Sequence, residues 1–508
     1  MRLGDLIEGY ASARGGDPDR EITDVTPDSR KAAPGSVFVA VPGLSTDGHR
    51  FIAEAVRRGA VAVVGQQLDE VPSGVAAVEV PDSRVALGLL AARLHGNPSR
   101  EMLVVGITGT NGKTTTSYLI ESVLREAGWR VGVIGTVEYR WAGERRPALH
   151  TTPESSDLQA LLREMRRAEC DAVVIEVSSH ALALGRLAGC DVDLGVFTNL
   201  TQDHLDYHGS MEAYFNAKAR LFHEHLAEPE TKRPRWAVVN VDDPRAPEIL
   251  ARTPCASITY ACATEARVSA WETKFDLTGI ATEVVTPVGG FDLRSPLIGL
   301  YNLSNLLAAT AAGVALEIPL ETIRRGLSEV SRIPGRMERA GELDAPPVFV
   351  DYAHTPDALE RVLDTAAGLA PGGLIAVFGC GGDRDRGKRR LMGEIAARRA
   401  RLTIVTSDNP RSEDPLAIID EILPGIVEAG ATRHPPELLH DLPPGPGFAV
   451  VPDRREAIAL GSRLAAPGRV VVIAGKGHED YQIIGKERHH FDDREEAMKA
   501  LGATRTAT

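Results

Sequence analysis

A glycine-rich segment around one lysine offers the most specific chemistry in this sequence. "GTNGKTT" (Gly109–Thr115) follows the apolar run "MLVVGIT" and opens a helical pattern. Backbone N–H groups in such a loop can approach phosphate oxygens, with a helix N-terminus behind them. Lys113 would neutralise the β- and γ-phosphates, and the hydroxyl of Thr114 would ligate Mg²⁺. Ile107 occupies the first glycine position of the common pattern, so the segment predicts a variant loop for a nucleoside triphosphate.

Three further residues could act beside this loop, and each also has an ordinary structural explanation. Glu176 ends the strand-like run "VVIE", where a carboxylate could hold the metal, although a lone Glu at a strand end is often only solvated. His204 in "DHLDYHG" could ligate a metal or serve the fold. Lys218 in "NAKARLF" has the pattern of a solvated helix lysine. The residues alone leave these three assignments open.

The elements that must position these residues alternate between strands and helices. The chain has 508 residues, more than one core can hold, and about 150 residues per domain predicts roughly three domains. We expect α/β domains at 1–98, 99–331 and 332–508, divided near "HGNPSR" and "SRIPGRME". Short β-rich runs spaced by helices, such as "SVFVAV", "DAVVIEV" and "VVVIAG", favour parallel sheets covered on both faces.

Polar clusters follow the predicted strands in a regular way. In the third unit they are "DYAHTP", "CGGDRDRGKRR", "SDNPR" and "GKGHED", and in the middle unit "GTNGKTTT", "EVSSH", "TNLTQDH" and "NVDD". Ligands of open parallel sheets bind outside the carboxyl ends of the strands. We therefore expect one ligand-binding edge in each unit. Two facing edges suggest an enzyme with two substrates that closes between its domains.

The composition is typical of a cytosolic globular protein. A net charge of −13 argues against nucleic-acid binding, which needs a basic surface. Five cysteines without metal-ligand or disulfide spacing indicate reduced core residues: Cys170, Cys190, Cys255, Cys262 and Cys380. The N-terminus lacks the pattern of a signal peptide, and no apolar run approaches the roughly 18 residues that cross a membrane.

Seven motifs together resemble the Mur ligases, the ATP-dependent amino-acid ligases of peptidoglycan synthesis. "GTNGKTT", "EVSSH", "TNLTQDHLDYHG", "NLSNLLAA", "PGRME", "DYAHTP" and "DNPR" occur in the family's order and span nearly the whole chain. The resemblance implies a small N-terminal α/β domain that binds the UDP-sugar and a central P-loop-type ATPase domain with a mostly parallel sheet. It also implies a C-terminal Rossmann-like α/β domain.

The resemblance further implies how the triphosphate is used. ATP phosphorylates the D-Glu γ-carboxylate of UDP-MurNAc-L-Ala-D-Glu, and an amine of the incoming amino acid displaces phosphate from the acyl phosphate. Phosphorylation removes the charge of the carboxylate and supplies a leaving group. The implied co-substrate is ATP and the implied cofactor is Mg²⁺. We expect a cytoplasmic monomer with no nucleic-acid partner and no membrane insertion.

Carried onto this sequence, the resemblance assigns catalysis to Lys113, Glu176, His204 and Lys218. Lys218 matches a lysine that these ligases carry as a carbamate (N6-carboxylysine), an anion that can ligate a second Mg²⁺. The implied metal-site residues are Thr114, Glu176, His204 and the carbamate of Lys218. The implied ATP-binding residues are Gly109, Thr110, Asn111, Gly112, Lys113, Thr114, Thr115, Asn302, Asn305, Arg336 and Asp351.

The segment "PDSRKAAPGSVFVAVPG" resembles the uridine-binding part of the family, and later residues match contacts to the muramoyl-dipeptide and its phosphates. Some members have glutamine where Leu184 stands, so one substrate hydrogen bond is lost or comes from another group. The implied binding residues for this substrate are Pro27, Ser29, Leu44, Ser45, Thr46, Thr151, Thr152, Ser178, Leu184 and Arg186.

The family adds mainly meso-2,6-diaminopimelate or L-lysine, which differ by one carboxylate. A pocket must pair that charge or reject it, because an unpaired buried carboxylate is costly. "DNPR" alone could be an Asx–Pro turn, but Arg411 and Arg384 can grip a carboxylate in bidentate fashion. Glu479 with the Gly475 carbonyl can bind the distal ammonium. We expect the diaminopimelate pocket to comprise Arg384, Asp408, Asn409, Pro410, Arg411, Gly475 and Glu479.

Four other functions compete with this interpretation. The nearest is the lysine-adding ligase, and folylpolyglutamate synthases share the ATP loop but give no counterpart role to the "DSR" segment or to "DNPR". A non-catalytic nucleotide-binding regulatory module would need neither four converging polar loops nor the set of Glu176, His204 and Lys218. A nucleic-acid motor would need a basic face and aromatic stacking platforms, which the sequence lacks.

Overall fold

The computed structural model describes residues 1–43, 46–69, 71–227 and 233–506, apart from the side chains of 503–506. These residues form an α/β protein with sheets of five, eight, three, seven and two strands. Among the described residues, no helix combines the length and the apolar content that crossing a membrane requires. All five cysteines are free thiols, of which Cys170, Cys190 and Cys380 are buried.

The first sheet lies near the N-terminus and is mostly parallel. Its strands are β1 (Ala13–Arg14), β2 (Asp24–Thr26), β3 (Ser36–Val39), β4 (Ala62–Gly65) and β5 (Ala76–Glu79). They lie in the order β1-β5-β4-β3-β2, and only the edge strand β1 is antiparallel. The accompanying helices are α1 (Leu3–Ile7), α2 (Ile52–Arg57) and α3 (Ser83–Leu94), with 3₁₀ turns at Ser29–Lys31, Gly48–Phe51 and Pro98–Glu101.

The second sheet has eight strands and carries the glycine-rich loop predicted to bind phosphate. The strands are β6 (Leu103–Thr108), β7 (Val131–Ile134), β8 (Glu138–Trp141), β9 (Glu144–Pro147), β10 (Ala172–Glu176), β11 (Leu194–Phe197), β12 (Trp236–Asn240) and β13 (Ala256–Tyr260). Their order is β13-β12-β11-β6-β10-β7-β8-β9, and β8 and β9 are antiparallel. All six residues of β6 are buried, as a central parallel strand covered on both faces requires.

Helices cover both faces of this second sheet, and a small antiparallel sheet packs beside it. The helices are α4 (Lys113–Glu126), α5 (Ser155–Arg167), α6 (Ser179–Ala183), α7 (Leu205–His208), α8 (Met211–Arg220) followed by a π turn (Leu221–His225), α9 (Ala246–Arg252), α10 (Leu300–Ala315) and α11 (Leu320–Glu329). The small sheet is β14 (Ser269–Asp276), β15 (Gly279–Thr286) and β16 (Gly289–Ser295). Its inner face shares a core with α10 and α11.

The third large sheet has seven strands, and a hairpin follows the last of them in the chain. The strands are β17 (Glu338–Ala340), β18 (Val348–Asp351), β19 (Gly373–Phe378), β20 (Leu402–Val405), β21 (Thr432–Arg433), β22 (Gly447–Val450) and β23 (Arg469–Ala474). Their order is β17-β18-β23-β19-β20-β22-β21, and only β17 is antiparallel. The hairpin pairs β24 (Tyr481–Ile484) with β25 (Glu487–His490).

Five helices cover this sheet, and the apolar residues on its two faces form separate cores. The helices are α12 (Pro356–Gly368), α13 (Gly387–Arg399), α14 (Pro415–Glu428), α15 (Arg454–Arg463) and α16 (Asp493–Thr506), with a 3₁₀ turn at Pro436–Leu438. The adjacent parallel order β18-β23-β19-β20 brings the polar clusters after these four strands to one edge. The α/β fold with parallel sheets is therefore confirmed, whereas the antiparallel strands β8, β9 and β14–β16 were not predicted.

Candidate active site

The loop between β6 and α4 needs glycine at two positions because side chains of neighbouring elements approach it closely. Gly109 has φ +146° and Gly112 has φ +88°, values that side chains disfavour. A Cβ on Gly109 would lie 1.8 Å from Thr198 Oγ1, and one on Gly112 would lie 2.4 Å from Asn305 Oδ1. The loop can therefore present its backbone N–H groups at the start of α4 to an anion.

Two lysines converge on one carbonyl of this loop. Lys113 Nζ donates to the carbonyls of Gly109 and Thr110, each at 2.9 Å, and Lys218 Nζ donates to the Gly109 carbonyl at 2.8 Å. Burial lowers the pKa of Lys113, opposed mainly by the carboxylate of Glu176. Burial, with a smaller contribution from the charge of Lys113, holds the pKa of Lys218 well below its usual range. Lys218 lies behind the loop and is 1% exposed, so the solvated-lysine interpretation is wrong.

Glu176, at the end of β10, is buried beside the start of α4. Its carboxylate accepts hydrogen bonds from Thr114 Oγ1 at 3.0 Å, from Thr136 Oγ1 at 2.8 Å and from Thr136 N at 3.1 Å. Carboxylate and hydroxyl oxygens are the hard ligands that Mg²⁺ prefers. The chemistry of Thr114 and Glu176 therefore fits a Mg²⁺ ion between the loop and β10.

His204 lines the same cavity as Glu176. It has φ +53°, its side chain is 45% exposed, and its Nε2 lies 3.4 Å from Asp203 Oδ2. Its ring packs edge-on against that of His180, with 4.7 Å between the centroids. Burial lowers the pKa of His204, and Asp203 opposes this shift. Within the described ranges, no three histidine, cysteine or acidic side chains already form a metal-binding group.

A cavity of about 350 Å³ lies between the second and third large sheets. One wall consists of residues 110–115, Glu176 and Asn305, and the opposite wall includes Arg336 and Asp351. Arg336 Nη2 lies 3.3 Å from Thr114 Oγ1, which links the two walls. Asn302 does not line this cavity: it lies behind Asn305, whose Nδ2 donates to the Asn302 Oδ1 at 3.2 Å.

Asp351 is buried at the end of β18. Its two oxygens accept the backbone N–H groups of Met337 at 2.7 Å and Ala353 at 2.8 Å. Burial raises the pKa of Asp351, and the nearby Arg336 opposes this. Asp351 thus fixes the backbone at the cavity edge as well as lining the cavity.

The residues predicted for the UDP-sugar fall into two groups. Ser29 is buried in the first unit, where its Oγ donates to Glu54 Oε2 at 3.1 Å. Pro27 is half-buried and Thr46 is exposed, whereas Leu44 and Ser45 lie outside the described residues.

The second group lies around the end of β10. Thr151 and Ser178 line the cavity, while Thr152 is buried behind them and donates to the Glu176 carbonyl at 2.8 Å. Arg186 Nη1 donates to the Thr152 carbonyl at 2.9 Å. Leu184 follows α6 and is half-buried outside the cavity lining.

The residues predicted for diaminopimelate gather outside β20 and β23, next to the cavity. Asn409 Nδ2 donates to Glu479 Oε2 at 2.9 Å, and Arg411 Nη1 donates to the Gly382 carbonyl at 2.7 Å. Asp408, Pro410 and Gly475 are buried, and Arg384 is exposed on the loop after β19. The ring of Tyr352, which lines the cavity, lies 5.0 Å from that of His478, the residue before Glu479. The two ligand-binding regions are therefore contiguous.

Comparisons with known proteins agree with this geometry. Three family descriptions match the chain: "Mur ligase family, catalytic domain" at 21–95, "Mur ligase middle domain" at 107–313 and "Mur ligase, glutamate ligase domain" at 335–477. A protein of Geobacter metallireducens named UDP-N-acetylmuramoyl-L-alanyl-D-glutamate–2,6-diaminopimelate ligase is 51% identical over 99% of this chain and 98% of its own length. The chain belongs to the Mur ligase family.

Further similar proteins carry the same name. The Geobacter sulfurreducens protein is 48% identical and covers 99% of both chains. A solved structure of a UDP-N-acetylmuramoyl-L-alanyl-D-glutamate–2,6-diaminopimelate ligase has a TM-score of 0.72 and 34% identity, and it covers 99% of both chains. The family and the α/β architecture expected from the motifs are thus confirmed.

Several residues that build the site of this Mur ligase were not predicted. Thr136 binds Glu176 but lies in no polar cluster of the sequence. Asp357 directly follows the motif "DYAHTP" and accepts a hydrogen bond from Asn111 Nδ2 at 3.0 Å across the cavity. Lys476 lies inside the quoted cluster "GKGHED" and is fully buried. Asp357 directly follows one quoted motif and Lys476 lies within another, and these positions could have pointed to both residues.

Proposed function

We propose that this Mur ligase joins 2,6-diaminopimelate to the D-Glu γ-carboxylate of UDP-MurNAc-L-Ala-D-Glu at the expense of ATP. The cavity is the observation that supports this proposal most directly. The loop predicted to bind phosphate forms one wall. The other wall adjoins the loops of the third sheet that carry the arginines and the glutamate predicted to bind diaminopimelate. The names of relatives at 51% and 48% identity support the same substrates. The meso isomer follows from the resemblance of "DNPR" to diaminopimelate-adding members.

The reaction would begin with transfer of the γ-phosphoryl group of ATP to the substrate carboxylate, forming an acyl phosphate and ADP. The N–H groups around Gly112 and the ammonium of Lys113 would bind the phosphates and stabilise charge during the transfer. Thr114 and Glu176 would hold Mg²⁺, which supplies positive charge to the phosphate oxygens when bound. The substrate amine then attacks the acyl carbon, loses a proton and expels inorganic phosphate.

Lys218 would act as a carbamate. Carbamate formation needs a neutral amine to attack CO₂, and the lowered pKa of Lys218 provides that form. The product places a negative charge beside the ammonium of Lys113, which attracts it. The new anion could bind a second Mg²⁺ together with His204.

The other residues predicted from the family resemblance would bind the amino acid and the UDP-linked substrate. Arg411 and Arg384 would bind the distal carboxylate of diaminopimelate, and Glu479 with the Gly475 carbonyl would bind its distal ammonium. Residues around Ser29 would bind the uridine, and those around Thr152 and Arg186 the muramoyl-dipeptide. We also propose domain limits at residues 98 and 331 and a monomeric enzyme.

The test is phosphate release measured with each substrate omitted in turn. We expect release only when ATP, UDP-MurNAc-L-Ala-D-Glu and meso-diaminopimelate are all present, and much less with L-lysine. With ¹⁸O in the γ-carboxylate, one label should appear in the released phosphate, because an acyl phosphate passes that oxygen to phosphate. Release independent of the amino acid, a preference for L-lysine or unlabelled phosphate would each contradict the proposal.

A further inference from the structure

Lys476 is a buried cation to which the proposed reaction gives no task. Its side chain is 0% exposed at the end of β23. Nζ donates to the Tyr481 carbonyl at 2.6 Å and to Asn409 Oδ1 at 2.9 Å, and it lies 3.3 Å from Asp408 Oδ1. Burying an ammonium is costly unless its hydrogen bonds are satisfied, and these partners satisfy it. Lys476 therefore joins the loop after β20 to the start of the hairpin β24–β25.

The contact with Lys476 determines which way the Asn409 amide faces. Asn409 Oδ1 accepts from Lys476 Nζ and from Ile483 N, both at 2.9 Å. A flipped amide would place its NH₂ group against two donors, so the oxygen has to face them. The amide nitrogen then points to Glu479 Oε2, to which it donates at 2.9 Å. Lys476 thus orients Glu479 through Asn409, and its Nζ also lies 3.9 Å from Glu479 Oε2.

The hairpin that Lys476 holds also fixes the backbone of Arg411. Arg411 has φ +52°, a conformation that needs support from its surroundings. Its N–H donates to the Ile483 carbonyl at 3.1 Å, and its carbonyl accepts from Gly485 N at 2.7 Å. Ile483 lies on β24, two residues after Tyr481, and Gly485 directly follows the strand, four residues after Tyr481. The buried lysine is therefore connected to Glu479 through Asn409 and to Arg411 through the hairpin, two of the charged groups of the proposed amino-acid pocket.

We propose that Lys476 is a positioning residue for the amino-acid substrate, which aims Glu479 through Asn409 and holds the hairpin that supports Arg411. This inference rests on the proposed function. Replacing a lysine with a purely structural role would change the KM of all three substrates alike, or would change only the stability of the fold. Replacing a positioning residue would raise the KM of the amino acid and leave the KM of ATP unchanged.

The test compares Lys476→Met with Lys499→Met in the full-length enzyme. Lys499 is an exposed lysine of α16 whose Nζ bonds only Glu496 in the described contacts, so it controls for the same substitution in the same unit. For Lys476→Met we expect the KM of meso-diaminopimelate to rise about tenfold, ~1.4 kcal/mol, with the KM of ATP and of UDP-MurNAc-L-Ala-D-Glu within about twofold. Lys499→Met should match the wild type in all three constants.

An unchanged KM for diaminopimelate in Lys476→Met, or an equal rise for all three substrates, would overturn the inference. If circular dichroism shows that Lys476→Met does not fold, Asn409→Asp decides instead. That variant keeps an oxygen partner for Lys476 but replaces the donor to Glu479 by a carboxylate, so only the KM of diaminopimelate should rise. A wild-type KM in Asn409→Asp would refute the relay. A wild-type enzyme inactive with diaminopimelate would instead refute the proposed function, and the inference with it.

Discussion

Arg411 combines a left-handed backbone with a guanidinium directed along the edge of the proposed amino-acid pocket. Arg411→Ala should raise the KM of meso-diaminopimelate by roughly 10- to 150-fold, because hydrogen bonds to charged groups contribute about 1.5–3 kcal/mol. The KM of ATP should stay within about twofold. Arg398→Ala is the control, since Arg398 is exposed on α13 and pairs only with Glu394 in the described contacts. Equal effects on all substrates would contradict the assignment.

Glu479 gives the amino-acid pocket a pH dependence. Burial, and then the nearby carboxylate of Asp408, raise the pKa of Glu479, with Lys476 and Arg411 opposing the shift. The carboxylate therefore becomes protonated at a higher pH than an ordinary glutamate, whose pKa is about 4.3. Only the ionised form can pair with the distal ammonium. Other groups that interact with Glu479 are the phenols of Tyr352 and Tyr481 and the guanidinium of Arg454.

We therefore expect kcat/KM for diaminopimelate to fall as the pH decreases through that raised pKa. The profile of kcat/KM reports groups of the free enzyme, so initial rates at low diaminopimelate concentration measure it. Glu479→Gln has no carboxylate to titrate at this position, so its kcat/KM should not fall as the pH decreases through this range. Its KM for diaminopimelate should be higher than that of the wild type. Persistence of the same decrease in Glu479→Gln would assign it to another group.

At the scale of single residues, the sequence indicated which residues to consider for the site better than it indicated their contacts. The motifs identified Glu176 and Lys218, but burial of Lys218 behind Gly109 depends on α8 packing against the loop, which no local pattern reveals. Asn302 and Asn305 lie three residues apart on α10, and only the packing shows that Asn305 faces the cavity and Asn302 supports it. Thr136 reaches Glu176 from the end of a neighbouring strand, a long-range contact without a sequence signal.

The junction of β6, its loop and α4 is the element that binds phosphate in our proposal. Gly112→Ala should raise the KM of ATP by about tenfold or more, ~1.4 kcal/mol, because a Cβ placed 2.4 Å from Asn305 Oδ1 forces one of them to move. Gly128→Ala is the matched control. Gly128 has a similar φ of +87° at the end of α4, with nothing within 4 Å of its Cβ position.

Gly128→Ala should lower the free energy of unfolding by about 1 kcal/mol through its left-handed backbone, without changing the KM of ATP. Steady-state kinetics and thermal unfolding of both variants separate backbone strain from close approach. If the two variants had the same KM for ATP, the contact with Asn305 would have no part in nucleotide binding.

Strands with apolar sequences were predicted well at the scale of elements. "SVFV", "LVVGIT" and "VVVIA" are buried on both faces, and their continuous β-branched runs correspond to β3, β6 and β23. The sheet β14–β16 was not predicted because its strands are partly exposed and polar, as in "SAWETKFD". The hairpin β24–β25 follows "GKGHED" and is also largely exposed, so only its contacts with residues 408–411 show its place.

The whole molecule brings the strand-end edges of two sheets together around the cavity, and Asp357 connects the two units. Its Oδ2 accepts from Asn111 Nδ2 and from Thr201 Oγ1, both at 3.0 Å, so α12 of the third sheet binds the phosphate loop of the second. Arg361 pairs with Asp357 from the next turn of α12 and holds it in place. A separation of the sheets would break both contacts and remove the wall formed by Arg336 from the phosphate loop.

Asp357→Ala should therefore loosen the closed arrangement and weaken ATP binding together. Two hydrogen bonds of about 0.5–1.5 kcal/mol each predict a KM for ATP raised roughly five- to a hundredfold, and small-angle scattering should show a larger radius of gyration. Asp364→Ala is the matched control, because Asp364 lies on the same helix and pairs with Arg399 within the third unit. If Asp357→Ala had the same radius of gyration and the same KM for ATP as the Asp364→Ala control, the two sheets would be held together without Asp357.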